Sequence, residues 1–218
     1  MNRREKSWWY LFELFVVFLG VTLAFMLDRW AENHRLRSQE REYLEGLHRD
    51  VVADSSNLAE LLDFYRRKLS DLEKIQNWLA AKSNLDSAEM LVSTTLFSQL
   101  FFKPSNTTWE SMKAGGDLKL IRDVRLRVAL TRLDKRYYGL AIHEGFIERF
   151  LWQTLLPFAL DRMDLRHMRF FRRSSLLEPR FANLVRAYEM IIRDYQSSLE
   201  RALDYCLEVR SMIRSQLG

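Results

Sequence analysis

The sequence predicts an all-α fold: an N-terminal transmembrane helix continuing into an elongated antiparallel helical bundle. Three observations predict it. Gly and Pro number only 7 and 3 among 218 residues, which favours long uninterrupted helices over turn-rich sheets. An apolar run opens the chain, with about the twenty residues a helix rising about 1.5 Å per residue needs to cross hydrocarbon. Beyond it, apolar residues recur at three- and four-residue steps over three long stretches.

The chain is long enough for one soluble domain plus an anchor. Its 34 basic and 29 acidic residues leave a net charge of +5 and are interspersed. That mixing is the mark of a solvated helical surface, and no nucleic-acid partner is expected. Cys206 is the single cysteine, so a disulfide framework and a Cys-rich zinc site within one chain are both excluded.

Residues 1–7 read as a basic N-terminal tail, 8–30 as the transmembrane helix and 31–218 as the helical soluble domain. Trp8, Trp9 and Tyr10 at one end of the span and Trp30 at the other match the aromatic belts of a bilayer. A cleaved signal peptide is the competing reading, but Phe25, Met26 and Leu27 carry the apolar run past the weak cleavage signal at Thr22 and Ala24. Arg3, Arg4 and Lys6 before the span nearly balance Arg29, Arg35, Arg37 and Arg41 after it, so the charge rule does not orient it. The short basic tail resembles a signal anchor, which predicts a periplasmic domain. Within the span, Glu13, Gly20 and Ala24 share one stripe; the small pair suits self-association or docking to another membrane protein, and a carboxylate at Glu13 is costly in lipid unless it snorkels or pairs.

After Trp30 the pattern stays helical. Leu44, Leu47, Val51, Leu58, Leu61, Tyr65, Leu72, Ile75 and Leu79 hold the a and d positions of a heptad, widened by Leu62 and Leu69. Asp54 and Lys68 occupy d positions on the same stripe, which predicts a bundle edge where water or an opposite charge reaches them. A turn near 81–86 leads into the short apolar helix MLVSTTLFSQLFF, ended by Lys103, Pro104, Ser105 and Asn106. Thr107 or Thr108 is the expected cap of the next short helix, Gly115 and Gly116 its left-handed end, and Asp117 or Asp123 the cap of the helix after that. Leu126, Leu130, Leu133, Tyr137, Leu140, Ile147, Leu151 and Phe158 mark a second long helix that Pro157 kinks or ends. A third begins near Pro179 and places Cys206 on its apolar stripe, as a buried structural thiol.

Signals for chemistry are sparse. Glu45-x-x-His48 and Asp164-x-x-His167 have the spacing of a carboxylate–imidazole pair on one helix face, but Glu45 and His48 fall on the bundle flank. His143-Glu144 lacks the second histidine of a zincin helix, and Gly115-Gly116 lacks the setting of a phosphate loop. No catalytic residue, metal site or cofactor is therefore nominated. The most basic stretch, with Arg162, Arg166, Arg169, Arg172 and Arg173 around Phe170 and Phe171, fits anionic lipid headgroups or a phosphorylated partner. It fits better a solvated loop between helices whose arginines pair with Asp161, Asp164 and Glu178.

Glu13, Gly20, Ala24 and Trp30, then Tyr43-Leu44-x-x-Leu47-x-x-Asp50 and Asp54, resemble a family of bacterial single-pass membrane proteins, domain of unknown function 6090. Thr108-Trp109-Glu110, Gly116-Asp117-Leu118 with Ile121, and Tyr137-Tyr138 match its later signatures, while Asp28-Arg29 departs from the more usual uncharged pair. The resemblance implies a membrane-anchored helical domain in the bacterial inner membrane, and no activity. Two functional readings are compatible with it: an interaction module that assembles with itself or another membrane protein, and a ligand sensor or enzyme with a pocket near 108–121. The second reading points to Thr108, Trp109, Gly115, Gly116 and Asp117, with Glu45, His48 or His143 as accessory groups.

Overall fold

The computed structural model describes the backbone from Arg3 to Gly218 and side chains from Glu13 onward. The expected aromatic belt at Trp8, Trp9 and Tyr10 and the basic residues before it lie outside the described side chains. Helix α1 runs unbroken from Arg3 to Ala81, and α2 (Leu85–Phe97) and α3 (Thr107–Gly115) come after it. Next come α4 (Val124–Phe150), α5 (Leu156–Arg162), a hairpin of β1 (Met163–Asp164) and β2 (Arg169–Phe170), and α6 (Pro179–Leu217).

The first part of α1 is long and apolar enough to cross a membrane, and among the described residues none of its side chains from Glu13 to Trp30 is buried. A side chain at Gly20 would meet open space. From Leu44 the same helix turns its heptad face inward: every apolar a and d position from Leu44 to Leu79 is buried. Burial of each such side chain contributes about 1.5–3 kcal/mol, so this face fixes α1 against its neighbours.

Helices α1 and α6 are antiparallel, joined by Arg66–Glu200 at 3.0 Å and Gln76–Glu189 at 2.7 Å. Helix α4 opposes α6 in turn, through His143–Ser198 at 3.2 Å and Tyr137–Cys206 at 3.4 Å. The fourth member of the bundle descends beside α1 and is broken. It consists of α2, an extended segment 98–106, and α3. The seven residue steps from Ser98 to Ser105 run beside fourteen steps of α1, from Lys68 to Asp54. Extended chain at about 3.3 Å per residue and helix at about 1.5 Å per residue then cover the same length, about 20 Å.

The apolar helix thus ends at Phe97, five residues before the expected end, because Ser98 turns extended (φ −82°, ψ 128°). Pro104 keeps Lys103 out of helical conformation as well. At Pro157 the helix is not ended. A π turn at 151–155 precedes it and α5 continues to Arg162; the wider register accommodates a residue that lacks an N–H and whose ring would clash with the preceding turn. The expected loop at 163–173 contains instead the two-stranded hairpin, in register Met163 with Phe170.

Candidate functional site

An extended segment inside a helical bundle has backbone groups that no helix satisfies, and buried ones must find partners. Here α1 supplies most of them. Lys68 donates to the Ser98 carbonyl, and the Tyr65 hydroxyl donates to the Leu100 carbonyl at 2.8 Å. Asp54 accepts the Ser105 N–H at 2.6 Å. From the other side, Glu144 of α4 accepts the Phe102 N–H at 2.8 Å and the hydroxyl of Tyr195. Asp54 and Lys68 do not mark a bundle edge: they are only 2% and 3% exposed. Their polar ends are needed where the neighbouring element is bare backbone.

Burial sets the electrostatics. Removal from water lowers the Lys68 amine to about 7. Its Nζ lies 5.3–5.9 Å from the ring centres of Tyr188, Phe64 and Tyr65. Desolvation likewise raises the carboxyls of Asp54 and Glu144, opposed by the hydrogen bonds each accepts. The Tyr137 hydroxyl donates to Cys206 Sγ, whose own S–H donates to the Val51 carbonyl at 3.5 Å. Burial pushes that thiol up to about 11, in keeping with a structural cysteine.

Further down α1 the same face holds α3 and the turn after it. Asp50 accepts the Thr108 N–H at 3.0 Å. The cap of α3 is thus a side chain of another helix, and neither Thr107 nor Thr108 caps it; the N-cap position, Asn106, makes no side-chain cap of its own. Gly46 is buried beneath Thr108, whose Cγ2 and Oγ1 would lie 2.8 Å from any added Cβ. Glycine lets the two helices approach that closely. Tyr43 donates to Asp117 at 2.7 Å, and Glu40 accepts the Arg122 N–H at 2.7 Å. Glu40, Tyr43, Gly46, Asp50 and Asp54 therefore form one stripe, at three- and four-residue spacing, that grips residues 105–122.

The predicted segment divides accordingly. Trp109 is buried, and its indole N–H has no protein partner. It borders a cavity of about 30 Å³ shared with Asp50, Asp54, Ser105 and Tyr137, room for a single hydrogen-bonded water. Thr108 and Asp117 line a separate open groove of about 400 Å³ with Glu42, Arg49 and Ser111. Gly116 is left-handed (φ 71°), whereas Gly115 is helical and only Gly116 makes the reversal. Asp123, not Asp117, caps α4, accepting from Arg125 N at 2.8 Å.

The pieces that carried the family resemblance meet in space here: Tyr43 with Asp117, Asp50 with Thr108, and Asp54 near Tyr137. The pattern of the "Family of unknown function (DUF6090)" matches residues 13–151. The chain belongs to the DUF6090 family. No curated protein and no solved structure matches it. In this DUF6090 chain the matched stretch starts in the apolar part of α1, takes in the whole gripping stripe and everything it grips, and ends with α4.

The remaining nominated residues lie apart. His48 is on α1, His143 on α4 beside Ser198, and His167 in the hairpin, 2.7 Å from Asp164. Glu45 is exposed and pairs with Arg41 at 3.0 Å. Among the described residues no group of three His, Cys, Asp or Glu is placed to hold a metal ion. In the basic stretch, Arg162 faces Glu178 at 3.5 Å, but Arg173 pairs with Asp86 of α2, a partner not read from the sequence. Asp164 is taken by His167, and among the described residues Arg166, Arg169 and Arg172 have no carboxylate partner. Nothing in the local sequence of 98–106 signalled its side-chain cradle; the usable signal was the pair of charges at heptad core positions.

Proposed function

We propose that this protein is a membrane-anchored scaffold: a single-pass helix in the bacterial inner membrane that holds a rigid interaction bundle in the periplasm. The observation that carries the reading is the continuity of α1, which is both the apolar stretch and the central strut of the bundle. A 79-residue helix is about 120 Å long. With no hinge between anchor and core, it sets the height and direction at which the bundle is presented. The side chains that converge on 98–122 support the reading too, because they are engaged in holding backbone. Partners are then the bilayer and either a second copy or another membrane protein, met along the Glu13, Gly20, Ala24 stripe.

Two measurements test this. Full-length protein should stay with membranes through an alkaline carbonate wash, and its bundle should be digested by protease added to intact spheroplasts; recovery in the soluble fraction removes the anchor. Crosslinking in membranes should lose its products when Gly20 and Ala24 are replaced by Leu. Unchanged products would remove the stripe. The groove at Tyr43, Arg49, Thr108 and Asp117 favours a second reading, a ligand sensor. That reading requires a small molecule whose stabilisation of the parent is lost in Arg49→Ala.

A further inference from the structure

The hairpin at 163–170 sits at the end of the bundle farthest from the anchor. The end of α1, the start of α2, the end of α5 and the start of α6 all meet there. It is firmly built. Met163 and Phe170 are buried, Phe170 packs edge-on against Phe181 at 5.4 Å, and its N–H donates to Glu89 at 2.6 Å. Asp164 accepts the N–H groups of Arg166 and His167 and closes the turn.

Four local carboxylates are thus used in holding the hairpin in place, and Asp161, exposed beside it, stands against three arginines. Asp86 pairs with Arg173, Glu178 faces Arg162, Asp164 is bound to the turn, and Glu89 holds Phe170. What the tip presents outward is Arg166, Arg169 and Arg172, with Phe171 (66% exposed) and Leu165 (37% exposed) between them. An exposed surface of arginines without carboxylate partners among the described residues, interleaved with apolar side chains, is complementary to an anionic bilayer.

That bilayer is not the one holding the anchor. From Trp30 to Leu79 is roughly fifty residues of continuous helix, about 70 Å. A tilt of about 40°, the largest usual for a membrane helix, still leaves the tip about 55 Å above the interface. A surface potential decays within about 10 Å, so the headgroups around the anchor exert no pull on these arginines.

We propose that the tip formed by Arg166, Arg169, Arg172, Leu165 and Phe171 docks on a second, anionic membrane surface, making the protein a tether between two apposed bilayers. The proposal rests on the anchored reading above, and the test separates the two. Full-length protein is reconstituted into phosphatidylcholine vesicles, and flotation after a carbonate wash reports whether the anchor is inserted. Those vesicles are then mixed with fluorescent acceptor vesicles of phosphatidylcholine alone or with phosphatidylglycerol, and capture is measured.

Capture of the phosphatidylglycerol vesicles only is expected, weakening as salt rises. Each arginine is worth about fivefold near an anionic surface, so Arg166→Ala, Arg169→Ala and Arg172→Ala together should weaken capture about a hundredfold. The triple lysine variant should retain capture, which separates loss of charge from loss of fold. Inserted protein that captures no acceptor vesicles, captures neutral ones equally, or is unaffected by the triple alanine change overturns the tether while leaving the anchor standing. Binding of a phosphopeptide through these arginines without vesicle capture would assign the tip to a protein partner and also overturn it.

Discussion

Asp54 of α1 accepts the backbone N–H of Ser105 at 2.6 Å, although it occupies a heptad core position where an apolar side chain would be expected. The exchange is physically sound. A leucine there would leave a buried amide without a partner, at a cost of about 1–3 kcal/mol. The carboxylate meets that amide and sits against Tyr137 as well.

Asp54→Ala should therefore destabilise the fold by about 2–3 kcal/mol, since it opens a cavity and strands the Ser105 N–H. Asp54→Asn keeps an acceptor while removing a buried charge and should cost less than half as much. Urea unfolding of the full-length protein in detergent compares them; equal losses would mean that the hydrogen bond contributes nothing beyond side-chain volume.

Lys68 gives a pH signature. Its amine falls to about 7 in the folded state from 10.5, so above pH 7 the unfolded chain binds a proton that the folded chain does not. Stability must then rise with pH, by at most about 1.4 kcal/mol per unit. The window for observing it is about pH 7–8, below the range where ionisation of the Cys206 thiol in the unfolded chain acts strongly in the opposite direction. Lys68→Met strands the Ser98 carbonyl but has no amine to titrate, so its stability relative to the parent should fall as pH rises from about 7 to about 8. Parallel pH profiles for parent and variant would show that the folded amine stays charged.

Gly46 and Thr108 should show strong coupling. Alanine at 46 gains helix propensity of up to about 1 kcal/mol, but its Cβ would meet Thr108 side-chain atoms at 2.8 Å, and overpacking costs about 1–3 kcal/mol. Gly46→Ala alone should therefore destabilise. With Thr108→Ala the closest remaining contact is the Thr108 Cβ position at 3.4 Å, and the same change should become neutral or stabilising. A double-mutant cycle reads the sign directly, and additive effects would mean that α3 does not dock on Gly46.

The helices were legible because periodicity survives in sequence: the apolar heptad positions from Leu44 to Leu79 are buried, and so is the apolar stripe of α6 from Phe181 to Ile213. The broken member of the bundle was not. The stretch from Ser98 to Phe102 carries the same apolar composition as the helix before it, and only its non-local partners Lys68, Tyr65 and Glu144 keep it extended. Asp54 and Lys68 did stand out as anomalies. Read locally, however, a charge on a core stripe indicates an edge, because its partner lies some thirty to fifty residues away. The same limit applies to Asp50, which caps a helix 58 residues further on, and to Arg173, whose partner is on α2.

Cys206 provides a readout of the whole joint. The thiol is fully buried, donates to the Val51 carbonyl, receives the Tyr137 hydroxyl and titrates near 11. Only the thiolate is nucleophilic, so at pH 8 the folded protein should react with iodoacetamide far more slowly than the urea-unfolded chain. Alkylation should then proceed through opening of the bundle and track stability. Asp54→Ala both lowers stability and frees Tyr137, and should speed labelling by about thirtyfold for each 2 kcal/mol lost. A distant surface change such as Arg37→Ala, on the exposed part of α1 before the bundle, should leave the rate alone. Rapid labelling of the parent at pH 8, equal to that of the unfolded chain, would place the thiol outside the core and undo the packing of α6 against α1 and α4 on which the gripping stripe depends.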